Sequence, residues 1–127
     1  MLRYACAAAL LLLPAMAFAH SDLNGPHGGD VEDANPGPYH IETAVKGSTL
    51  SVFITDQDGN PSPAAGVTGN AVVLVNKVKT PVTLSPAADN QLQGSGAFTP
   101  APDMRVLVVL TIDGQKQQAL FSPQVQP

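Results

Sequence analysis

Three histidines and one glutamate are the residues of this chain best suited to chemistry. The histidines are His20, His27 and His40, and all three follow closely on an apolar leader. A mature chain beginning at His20 offers its α-amine and the imidazole Nδ1 to the same ion, and both groups can deprotonate onto a metal near neutral pH. His27 lies in Gly25-Pro26-His27-Gly28-Gly29, where small neighbours let the backbone fold back towards His20 or His40. His40 and Glu42 form an H-x-E pair, which the period of a strand places on one face. Asp22, Asp30, Glu32 and Asp33 add carboxylates, with no Lys or Arg between Ser21 and Val45.

Imidazole, amine and carboxylate together suit a divalent cation. Copper(II) takes such donors in tetragonal geometry and zinc(II) takes them tetrahedrally, so the residues do not choose between the two. The expected ligands are His20, His27, His40 and Glu42. Each has a plainer reading beside it: a chance residue after a cleavage site, an exposed turn histidine, and a solvated strand face. Cys6 is the sole cysteine and falls inside the leader, and Met104 is the sole methionine beyond it. A thiolate site and a methionine-rich copper(I) site are therefore excluded.

Catalysis finds no support. There is no GxSxG, HExxH, P-loop or cysteine nucleophile. Asp56-Gln57-Asp58-Gly59-Asn60 resembles a calcium loop only superficially, because its glycine is misplaced and Val67 stands where the bidentate glutamate belongs. It reads as a turn, and the chain reads as a non-enzyme.

The elements that must position these residues follow from texture. Residues 1–19 read as a secretory signal, with Arg3, an apolar stretch centred on Leu10 to Leu13, and the small-x-small sequence Ala17-Phe18-Ala19. Ala15-Met16-Ala17 fits the same pattern, so cleavage after Ala17 competes with cleavage after Ala19. The apolar stretch is too short to span a bilayer as a helix. A soluble periplasmic protein is expected, without a disulfide. Its acidic balance, −4 for the whole chain, argues against nucleic acid or an anionic membrane surface as partner.

Residues 20–37 are rich in Gly, Pro, Asn and Asp and predict a flexible arm. From 38 to 123 the chain reads as one β-domain. Strands are expected at 39–45, 49–55, 70–76, 81–85, 91–98, 104–112 and 115–121, with Asp113-Gly114 as a tight hairpin turn. Twelve prolines, eleven glycines and no helical period outside the leader complete an all-β reading. The expected fold is a single immunoglobulin-like antiparallel β-sandwich of about seven strands. Val106 to Leu110 is apolar on both faces, which predicts a central strand covered on both sides.

Gly25-Pro26-His27-Gly28-Gly29-Asp30-Val31, the strand bearing Glu42 and the Asp58-Gly59-Asn60-Pro61 turn resemble a small β-domain of heavy-metal efflux systems. That domain stands at the N-terminal side of periplasmic adaptor subunits of the resistance–nodulation–division type, and also occurs free-standing. The resemblance covers residues 25–121 and implies periplasmic handling of copper, zinc or similar ions, with His27 as the residue carried over. No coiled-coil hairpin or lipoyl-like domain accompanies it here. The chain would be a free-standing carrier or buffer, with an efflux adaptor or another metal-handling protein as partner. The competing expectation is a metal-free exported adhesion or protein-interaction module.

Overall fold

Residues 49–56 read T-L-S-V-F-I-T-D, and the strand they form buries Leu50, Val52 and Ile54 completely. Such alternation builds the whole domain. The computed structural model describes residues 25–123; the leader at 1–19 and the start of the arm, with His20, lie outside the described residues. Eight strands follow in order: β1 (Asp30–Asp33), β2 (Tyr39–Lys46), β3 (Thr49–Asp56), β4 (Thr68–Val75), β5 (Val78–Ala88), β6 (Gln91–Ser95), β7 (Arg105–Ile112) and β8 (Gln115–Phe121). They form one sheet in the order β1-β2-β3-β6-β5-β4-β7-β8, with every neighbouring pair antiparallel.

Local chemistry explains the hairpins. Asp113 and Gly114 both take positive φ (51° and 77°), as a two-residue turn matching the strand twist requires. Asn76 and Lys77 do the same at 49° and 66°, so β5 starts at Val78, ahead of the expected 81. Two Greek keys overlap in this order. After the long connection from β3, the hairpins β4-β5-β6 bring β6 back beside β3, and β7 then returns beside β4. Pro86 stands at a register shift where β5 meets β6, a place that tolerates a missing N–H.

The sheet nearly closes on itself. Asn35, just beyond β1, exchanges two backbone hydrogen bonds of 2.9 Å with Gln118 of β8. Beside them Gln117 is fully buried, and its amide accepts from the Gly37 N–H at 2.8 Å and donates to the Gly37 carbonyl at 3.1 Å. One core fills the interior, with Ile41, Leu50, Ile54, Leu92, Leu110 and Phe121 fully buried.

Two sequence expectations change. The arm supplies an eighth strand, β1, whose D-V-E-D sequence has no alternation to betray it; pairing with β2 defines it. β7 is central, between β4 and β8, but it is not covered on both faces. Val106, Val108 and Leu110 are buried, whereas Leu107 is 36% exposed and Val109 half-buried. In a sheet curled round one core, the outward face of a central strand has no second layer to cover it.

Candidate metal centre

Period two divides β2 between two environments. Ile41 faces the core, while His40 and Glu42 share the outward face, as the H-x-E spacing predicts. Register then sets their neighbours. Glu42 stands opposite Val31 of β1 on one side and Phe53 of β3 on the other; His40 stands opposite Asp33 and Thr55.

An outward-facing glutamate would ordinarily be solvated, but Glu42 is only 5% exposed, because the Gly25–Gly29 turn folds over it. This turn is closed by Gly25 N–H to the Gly29 carbonyl at 2.8 Å and by Gly28 N–H to the Gly25 carbonyl at 2.9 Å. It directs three donors at one carboxylate. The backbone N–H groups of His27 and Gly29 donate to Oε2 at 3.0 and 2.9 Å, and His27 Nδ1 lies 2.9 Å from Oε1. The imidazole stacks flat on Phe53, with centroids 3.6 Å apart and planes 2° from parallel.

The glycines of this motif have a steric reason. A Cβ on Gly25 would collide with the Glu42 carboxyl group, and one on Gly29 with the backbone carbonyl of Thr43. Backbone cannot yield as a side chain does, so Gly29→Ala is expected to cost about 1–3 kcal/mol, measured as a lower midpoint of thermal unfolding. An unchanged midpoint would show that the turn does not lie against β2.

Electrostatically, the carboxylate draws the imidazole proton to Nδ1. That leaves the Nε2 lone pair as the open position of the ring. The His27 side chain is 44% exposed and borders a cleft of about 610 Å³ that also touches Asp30, Thr43, Lys46 and Met104. His40 repeats the arrangement more openly, with Nδ1 2.6 Å from Oδ1 of exposed Asp33.

So His27 and Glu42 come together, whereas His40 pairs with Asp33 and His20 lies outside the described residues. Among the described residues, no group of three or more His, Cys, Asp or Glu side chains is placed to hold one ion. Both Glu42 oxygens are engaged by the turn, which fits a residue that orients His27 better than one that binds an ion itself. Sequence reasoning passed over Phe53, which had a signal, as an aromatic in the outward register of an otherwise alternating strand. It counted Asp33 among the arm carboxylates, but its pairing with His40 had no signal without the β1 register. Asp56 to Asn60 forms the expected turn, in which Asp56 Oδ1 accepts from the backbone of Asp58 and Asn60, both at 2.9 Å.

Fold and site together define an all-antiparallel β protein that seats a carboxylate-held histidine on its outer face. No known protein family, curated protein or solved structure matches the chain.

Proposed function

We propose that this chain is an exported, soluble periplasmic protein that binds a divalent metal ion, copper(II) or zinc(II), as a non-catalytic carrier or buffer accessory to metal efflux or resistance. One observation carries the reading: His27 has its Nδ1 2.9 Å from the buried carboxylate of Glu42 while its side chain stays 44% exposed. A carboxylate on the far nitrogen fixes the tautomer and raises the basicity of a ligating histidine. His40 with Asp33 supports the reading a second time. In this scheme His27, His40 and the N-terminal His20 supply nitrogen donors, and Glu42 acts through His27. A bound ion would be exchangeable, because its ligands lie on the surface and partly on the chain ahead of Gly25. The fold enters the proposal as an immunoglobulin-like sandwich behind a Gly/Pro-rich arm, supported by the two Greek keys and by β5, which pairs with β4 along its first part and with β6 along its last.

The test is native mass spectrometry of protein recovered from the periplasm and titrated with copper(II) and zinc(II). One ion per chain is expected on a chain beginning at His20. His27→Ala should abolish tight binding, and Glu42→Gln should weaken it roughly 10–100-fold. Metal behaviour unchanged in His27→Ala combined with His40→Ala would overturn the proposal and favour a metal-free adhesion or interaction module.

A further inference from the structure

Net charge argues against an anionic surface as partner, yet the fold sorts the charges. β1, β2 and β3 carry Asp30, Glu32, Asp33, Glu42 and Asp56 against a single cation, Lys46. β4, β5, β7 and β8 carry no acid at all, and their charged residues are Lys79, Arg105 and Lys116. Alternation and register place all three cations on the outward face.

The same face carries an apolar row. Pro81 pairs with Val72, Val72 with Leu107, and Leu107 with Leu120, so the four stand side by side across β5-β4-β7-β8. Val72 and Leu107 are each 36% exposed and Leu120 is 61% exposed. At the usual strand spacing this row is roughly 14 Å long. The adjacent row, Lys79-Leu74-Arg105, flanks it with two cations. Acids occur in the turns at the strand ends: Asp89 after β5, Asp103, whose carboxylate accepts from the Asn76 N–H, and Asp113.

We propose that this face docks peripherally on an anionic lipid surface. A second copy in twofold contact would bring two faces bearing Lys79, Arg105 and Lys116 together. Protein interfaces are depleted in lysine and enriched in aromatics, and this row has no aromatic residue. Aliphatic side chains among Lys and Arg fit the boundary between acyl chains and acidic headgroups. Most of the acidic half does not oppose docking: in the closed order β2 and β3 stand across the core from β4 and β7, farther from the surface than the roughly 8 Å Debye length of physiological salt. β1 borders β8 through the Asn35–Gln118 pair and brings exposed Asp33 to that edge, so the contact centres on β4 and β7.

The experiment is co-sedimentation of the protein, recovered after export with its own leader, on vesicles of phosphatidylglycerol and phosphatidylcholine or of phosphatidylcholine alone. Binding is expected only with the anionic lipid and should fall at high salt. Lys79→Glu with Arg105→Glu should lower partitioning by at least about tenfold, and Leu120→Ser by about fivefold. Asp58→Lys, in the turn after β3, should change it less than about twofold, because that charge is screened. Circular dichroism confirms that each variant is folded. Absence of binding, equal binding to neutral vesicles, or an Asp58→Lys effect as large as the double reversal would overturn the proposal.

Discussion

Replacing Glu42 with alanine is expected to lower the unfolding free energy by about 3 kcal/mol, although the residue lies on the outward face of its strand. Its carboxylate takes the N–H groups of His27 and Gly29 and the imidazole of His27. Hydrogen bonds to a charged acceptor contribute about 1.5–3 kcal/mol each, and they are not additive when they act as a unit. For a domain of this size the loss corresponds to roughly 15 °C in the thermal midpoint. Glu42→Gln should cost less, since its carbonyl oxygen can still accept from the two backbone donors. Coupling in a double-mutant cycle with His27→Ala would locate the effect in the turn. A midpoint within about 3 °C of wild type for Glu42→Ala would mean that the turn does not depend on this carboxylate.

The second large effect lies in β7, where two leucines three residues apart should behave oppositely. Leu110 is fully buried, and its side chain fills the space left by the absent Cβ of Gly69. Leu110→Ala removes that contact and leaves a cavity, for about 3–4 kcal/mol. Leu107 faces outward at 36% exposure, and Leu107→Ala should fall within about 0.5 kcal/mol of wild type. Chemical denaturation of both variants measures the difference. Equal losses would mean that β7 is covered on both faces, as its composition alone suggests, and would remove the exposed row on which the lipid proposal stands.

These two cases show where sequence reasoning reaches and where it stops. Each of the seven expected strands is present, because period-two alternation and turn residues are local properties. Leu50, Val52 and Ile54 announce β3 whatever lies beside it. Asp113-Gly114 announces its hairpin because few residue pairs accept two successive positive φ values. By contrast, β1 has almost no apolar side chain and exists through its register with β2. Val106 to Leu110 reads alike for a strand covered twice and for one covered once. Which case holds depends on whether the sheet stacks against another layer or curls round its own core.

The candidate site divides in the same way. The residue types, the glycines around His27 and the shared face of His40 and Glu42 were legible, since they follow from spacing along one strand or one turn. The burial of Glu42, the stacking of His27 on Phe53 and the pairing of His40 with Asp33 were not. Each joins residues from separate elements, and no local period carries that information. Taken alone, the amino-acid sequence determined where this chain extends and turns, and which side chains could donate to a metal. The tertiary structure alone decided which donors meet and how the charges divide between the two halves of the sheet. The physical reason is that those outcomes depend on strand order and register, which emerge only when distant segments pack round one core.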